Sequence, residues 1–355
     1  MMGDMRMIGR LFAVRSVCLQ ADRHGPAEAG HYVRWVLVCF LSMLAAGQAQ
    51  TRQRINHVIA LLEQKQPVFG VYWPTNPSGR GRAGAPPPAP VAPKSPGELA
   101  REALAYRDAD FLFSGALEGG IDRGIGPVTD FVTATAETGA AAKSPLVRVA
   151  APLIVKVPKI GTDTAKAAES ISRALNLGVS GLMFVETESA AEVRAGLAAM
   201  RFKSKGGTRA DDVGAAPGHW GMTEAQYKQK ADLWPLNPEG ELLNWTIVES
   251  KEGLAHVREI AAVKGIGVLW PGAGTLRGVF STTNAAGERV VDTAAWENAI
   301  QQVLAACKEF NVPCGFPANA NDIELRMKQG FSVFVMNWGD AGFKTVETGR
   351  KAAGR

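Results

Sequence analysis

The chain is 355 residues long, with 46% hydrophobic and 21% charged residues, a balance that supports one large core or two small ones and excludes a disordered polymer. Its formal net charge of +5 is not gathered into a basic patch, so the sequence points away from a nucleic-acid partner.

The first stretch read from the N-terminus, residues 1–33, carries Gly, Pro, His and acidic residues with no apolar period and is set aside from the fold. Residues 36–46 (VLVCFLSMLAA) then form a short apolar run, preceded by Arg34 and Trp35 and followed by Gly47, Gln48 and Ala49. This is a signal-peptide pattern over about 34–49, and it predicts cleavage near Ala49 and export to the periplasm. The run is short for a membrane span and polar QTRQR follows at once, so no stable membrane insertion is expected after cleavage; an uncleaved anchor is the alternative. Loss of residues 1–49 lowers the formal charge from +5 to +3 and removes Cys18 and Cys39. Cys307 and Cys314 remain. Export would permit a bridge between them, but their helix-then-strand setting favours two buried thiols.

From residue 50 onward, short β-branched and aromatic runs alternate with helical periods, the pattern of a parallel sheet. Strands are predicted at 68–73, 110–115, 153–158, 181–186, 242–249, 266–272, 312–318 and 331–338. Eight strands, each followed by a helical or mixed segment, predict a single α/β domain over 50–355, a (β/α)8 TIM barrel. In such a barrel, function gathers where strands end. The residues there are Trp73, Glu118, Lys156, Glu186, Glu249, Gly272 to Thr275, Asn319, Asn337 and Trp338. Two segments break the rhythm: a Pro-rich loop at 74–96, read as a cover over the barrel mouth or a spacer, and an insertion at 201–240. Within the insertion a helix is predicted from Thr223, as N-cap, to about residue 233.

Several segments in order, LEGGID (117–122), IVKVPKIG (154–161), RALNLGVSGLMFVETESAAE (173–192), GGTR (206–209), YKQKADLWPLNPEGEL, and IVESKEGLAHVREIAAVKGIGVLWPGAGTL (247–276), resemble the metal-dependent pyruvate aldolase and citrate lyase beta-subunit family. The resemblance covers roughly residues 65–345 and is closest to its longer members. It implies a TIM barrel of the phosphoenolpyruvate/pyruvate-binding type, a small 2-keto acid substrate, a divalent ion (Mg2+ or Mn2+) and a homo-oligomer, a trimer or hexamer.

The resemblance also assigns residues. Glu249, ending strand five, matches a metal-ligating Glu; a carboxylate that merely favours the next helix's N-terminus is the alternative. Thr275 stands where the family's second ligand, an Asp, belongs, and a neutral hydroxyl holds a divalent ion far more weakly. Glu186 or Glu188 is a candidate substitute. Gly272 and Gly274, with Thr275, form a loop that brings backbone N–H groups to a carboxylate or makes a plain turn. Lys156 replaces an Arg that holds substrate oxygens, keeping the charge and losing the bidentate fork. Glu118 is the acid or base candidate, with Gly119 where better-known members carry His. Arg209 matches an arginine that orients a carboxylate or pairs with Glu249. His219 and the aromatic residues Trp220, Tyr227, Trp234 and Trp245 are read as surface or core, or as reaching a pocket or subunit contact.

These assignments imply a carbon–carbon lyase of the aldehyde-lyase type, cleaving a 2-keto-4-hydroxy acid to pyruvate and an aldehyde. Export argues against an acyl-CoA substrate, because CoA is cytosolic. The rival reading, supported by Thr275, is a catalytically silent carboxylate-binding protein on the same scaffold.

Overall fold

The computed structural model describes residues 53–76, 92–138, 141–142, 148–149 and 151–355. The predicted leader and signal peptide, and residues 77–91 of the Pro-rich loop, lie outside them. Arg54–Arg355 forms a compact unit of its own. Among the described residues no helix is long and apolar enough to cross a membrane.

All eight predicted strands are present: β1 Val68–Tyr72, β2 Phe111–Ser114, β3 Leu153–Val157, β4 Gly181–Phe184, β5 Leu242–Val248, β6 Val268–Pro271, β7 Gly315–Pro317 and β8 Val333–Met336. Each is one to four residues shorter than the apolar run that announced it, because the flanking residues turn into loops before pairing. Parallel pairing runs β7, β8, β1, β2, β3, β4, β5, β6. A single parallel bridge, Leu269 to Cys314, closes the ring. The result is the α/β barrel, and its strands read as continuous apolar runs because both faces are covered.

Inward side chains form their own cluster, including Phe111, Phe113, Trp245 and Trp270. Trp245 stacks on Trp270 at 5.6 Å between centroids and on Phe113 at 5.8 Å. The bulk is accommodated by a missing side chain opposite: a Cβ on Gly315 would sit 1.8 Å from the Trp270 ring. Outward side chains pack against the helices.

The N-terminal end of the barrel is plugged by helix His57–Glu63, whose Val58, Ile59, Leu61 and Leu62 join the inner cluster. Two buried charge networks tie this end together. Asp110 accepts hydrogen bonds from the Phe69 N–H at 2.9 Å and from Arg355 at 3.0 Å, with Arg350 at 3.4 Å. Arg54 reaches Glu241 at 3.3 Å, and Glu241 also takes the Asn56 N–H at 2.9 Å.

Insertion 201–240 folds at this same end rather than over the mouth. Helix Ala190–Met200 carries the chain back down the outside of the barrel, and strand Leu233–Trp234 then pairs with Leu242 and Leu243 at the start of β5. The helix expected from Thr223 is present as Glu224–Lys230, with Thr223 and Gln226 forming a capping box. Trp220 and Tyr227 are buried where the insertion packs on the barrel's outer layer, donating to the Gly178 and Leu175 carbonyls, and Trp245 is in the barrel.

Cys307 and Cys314 are bridged, with Cα atoms 5.7 Å apart, against the expectation of two thiols. The reason is local: helix Thr293–Phe310 stops at Asn311 in the left-handed conformation (φ 52°), which folds β7 straight back beside the last helical turn.

Candidate active site

The strand ends deliver a charged cluster to the mouth. Lys156, in β3, points inward among apolar neighbours, and its Nζ donates to both oxygens of Glu118, at 3.0 and 3.1 Å. The lysine side chain is 16% exposed and the glutamate 42%, so the pair is open on the carboxylate side. Thirty-eight residues separate the two partners in sequence; adjacency of β2 and β3 joins them.

Tyr72 is the third member, and the sequence reading passed over it in favour of Trp73. Side chains alternate along a strand. Trp73 therefore turns outward and packs on Phe131 at 4.5 Å, while Tyr72 turns inward, its ring edge-on to Phe113 at 5.1 Å. Burial pushes the Tyr72 phenol above its ordinary range, with the Lys156 charge opposing and the Glu118 charge reinforcing. A neutral phenol therefore stands beside the ion pair at neutral pH, a hydrogen-bond donor rather than a base.

Two strands along the ring from Lys156, Glu249 ends β5 and is 5% exposed. Its Oε1 accepts the Glu186 N–H at 3.0 Å, and Glu186 holds a left-handed φ of 47° to present that group. Gly272 is next to it for lack of room: a Cβ there would lie 2.3 Å from Glu249 Cβ. Space for Glu249 is thus the physical need Gly272 meets. Gly274 and Thr275 are exposed in the short helix Ala273–Val279.

A second ion pair sits on the rim, where Lys159 donates to Glu188 at 2.7 Å and lies 3.7 Å from Glu186. The hydrogen bond to Glu188 raises Lys159 above the usual lysine range and lowers Glu188 below the usual carboxylate range. Of the two glutamates expected as substitutes for a metal-binding Asp, Glu188 is therefore hydrogen-bonded to a lysine, and Glu186 is an exposed carboxylate near the same lysine.

Arg209 does not belong to this mouth. It is 2% exposed, its guanidinium lies 4.4 Å over the Phe202 ring, and it donates to Asn176 at 2.7 Å. Those partners precede β4 and belong to the insertion at the barrel's N-terminal end, so neither Glu249 nor Lys156 is brought to it. His219 shares that location, its Nδ1 against the Leu177 carbonyl.

The sequence profile of the HpcH/HpaI aldolase/citrate lyase family matches residues 132–339, more than half of the chain. The chain belongs to this family. Members of the HpcH/HpaI family are aldolases and lyases. An HpcH/HpaI aldolase/citrate lyase family protein from Burkholderia cenocepacia J2315 is similar at 21% identity, covering 84% of this chain and 97% of its own, with a TM-score of 0.57. The HpcH/HpaI aldolase from Desulfitobacterium hafniense DCB-2 is similar at 14% identity, covering 83% and 94%, with a TM-score of 0.55. These likenesses show the fold. Protein CitE from Mycobacterium tuberculosis, a structure in complex with magnesium and acetate, is similar at 15% identity, covering 82% and 92%, with a TM-score of 0.46. No curated protein matches the sequence.

A divalent ion of the Mg2+ kind needs several hard oxygen donors converging on one point. Here Glu249 is a single buried carboxylate with one oxygen already accepting an N–H, Thr275 supplies no charge, and Glu186 and Glu188 face Lys159. Among the described residues no three His, Cys, Asp or Glu side chains gather as a metal site. The donor set does not fit a tightly held ion.

Proposed function

We propose that this family member is a carbon–carbon lyase that cleaves a 2-keto-4-hydroxy acid to pyruvate and an aldehyde at the Lys156–Glu118 pair. The observation that carries this reading is the pairing itself: a cation fixed in the barrel wall, with an accessible carboxylate held on it at 3.0 Å. Lys156 attracts the substrate's oxygens and stabilises charge that develops on the C2 oxygen. Glu118 accepts the proton of the 4-hydroxyl as the C3–C4 bond breaks and C4 becomes the aldehyde carbonyl. The bonding electron pair moves to C3 and onto the C2 oxygen as an enolate, which Tyr72 and Lys156 face. Return of the proton from Glu118 to C3 yields pyruvate and restores the carboxylate. Export to the periplasm, supported by the apolar run at 36–46, and homo-oligomer assembly, supported by the family resemblance, belong to the same reading.

A second reading, a carboxylate-binding protein without turnover, is favoured by Thr275 alone. Proton NMR of pyruvate in D₂O separates the two without knowledge of the aldehyde. The lyase reading expects enzyme-dependent loss of the C3 methyl signal that persists in excess chelator. No loss, with or without added Mg2+, sinks it in favour of the silent protein. Exchange only with added Mg2+, strengthened in Thr275→Asp, would restore the metal and displace Lys156 from its role.

A further inference from the structure

The barrel's N-terminal face carries a groove of about 880 Å³, within the range of small-molecule sites, roughly 300–1,000 Å³. It is lined by segments that run into strands rather than out of them: 62–66 before β1, 234–236 before β5, 261–266 before β6 and 310–314 before β7. It therefore lies on the face opposite the Lys156–Glu118 mouth, where barrels do not place chemistry. Its position coincides with the weakest seam of the ring, where β6 and β7 share a single bridge and the Cys307–Cys314 disulfide stands in the wall.

The lining has two parts of opposite character. Leu236, Ile266 and Phe310 belong to an apolar bed, and Leu236 (41% exposed) and Phe310 (36%) are two of the four large hydrophobic residues exposed among the described residues. Gly265, with φ 109°, turns the chain so that Leu236 packs over it at 3.5 Å from where a Cβ would be. Around this bed stand Lys65, Lys264 and Lys308, none with an ion-pair partner among the described residues. The Lys308 stem is laid across Gly330 at the groove edge, its Cε 3.0 Å from the position of a Cβ. Glu63 is the groove's one acid, and it is bonded to Arg54 at 3.0 Å.

We propose that this groove binds an amphipathic anion, an aliphatic chain ending in a carboxylate, with the chain on the Leu236–Phe310 bed and the headgroup among the three lysines. Exposed apolar area gives the attraction, and three cations without an ion-pair partner among the described residues set its sign. A small acid such as pyruvate has no chain to cover the bed, so the site discriminates against the substrate of the opposite face.

The test is calorimetric titration of the whole protein with three probes: decanoate, decyltrimethylammonium of the same chain length, and acetate. Decanoate is expected to bind at least about tenfold more tightly than either of the others. Lys264→Glu with Lys308→Glu is expected to weaken decanoate by a similar factor, about tenfold, while leaving pyruvate exchange at the opposite mouth unchanged, which also certifies the fold. Equal binding of decanoate and decyltrimethylammonium, or decanoate binding untouched by the double charge reversal, would overturn the proposal. So would absence of decanoate binding in a protein that elutes as an oligomer and becomes a monomer on Phe310→Asp, since the bed would then be a contact between copies of this chain.

Discussion

At the N-terminal end of the barrel, Asp110 is 3% exposed and is held by a backbone N–H and two arginines. At the C-terminal end, Glu118 is 42% exposed and is held by one lysine. Both are carboxylates flanking β2 and brought against cations, Asp110 by the C-terminal helix and tail and Glu118 by β3, and the difference lies in how much water each has lost. A carboxylate stripped of water and multiply bonded cannot leave its partners without a large cost, so it fixes structure. One that keeps a wet side can exchange partners with a substrate and move a proton.

The largest expected effect breaks the buried end. Asp110→Ala leaves the buried Phe69 N–H without its acceptor and Arg355 with the Pro67 carbonyl alone, and unfolding in urea is expected to show a loss of about 3 kcal/mol. Pyruvate exchange per folded molecule is expected to be unchanged. The same carboxylate predicts an acid limit. Burial alone would push Asp110 up, but His57, 3.7 Å away, and hydrogen bonds from Arg355 and the Phe69 N–H outweigh it and hold it below the usual range. A depressed folded value means stability that is fully present above the unfolded value, about 3.9, and is lost as pH falls through the folded one. Urea midpoints for the wild type are expected to drop below about pH 4 more steeply than those for Asp110→Ala; parallel curves would refute this.

The second effect sharpens the open end. Glu118→Gln keeps the shape and removes the base, and exchange of the pyruvate methyl is expected to fall about a hundredfold or more. Its stability cost is expected to stay within about 1 kcal/mol, since half-exposed ion pairs are worth little. A large stability loss with exchange intact would reverse the comparison and make Glu118 a structural residue.

The barrel was legible in the sequence because parallel strands covered on both faces leave apolar runs, and those runs sit at β1 through β8. What the runs hide is which way each end residue faces: Trp73 was chosen at the mouth, and a shift of one position puts Tyr72 there. Glu118, Lys156 and Glu249 were legible as strand-end charges, and the ring order then brings the first two into contact. Arg209 misled because its neighbours in sequence, Gly206 to Thr208, say nothing of Asn176, a partner 33 residues away. The insertion's location was equally hidden; it follows from a two-strand pairing, Leu233–Trp234 on Leu242 and Leu243, too short to announce itself. The pairing of Cys307 with Cys314 turned on one left-handed residue, Asn311, which an Asn permits but does not require.

The smallest expected effect lies within the insertion and asks whether its order is imposed locally or by the barrel beneath. Thr223 accepts the Gln226 N–H and Gln226 returns a bond to the Thr223 N–H, so the helix Glu224–Lys230 starts on a complete capping box. The cap is exposed while Tyr227, one turn on, is fully buried against Trp220 at 5.0 Å between centroids. If the cap sets the helix, Thr223→Ala is expected to cost about 1 kcal/mol and to speed amide exchange at residues 224–230. If Tyr227 burial alone sets it, stability is unchanged and Tyr227→Ala carries the whole loss, about 3 kcal/mol or more. Either way Glu118-dependent exchange at the mouth is expected to hold, because the insertion hangs from the end of the barrel that does no chemistry.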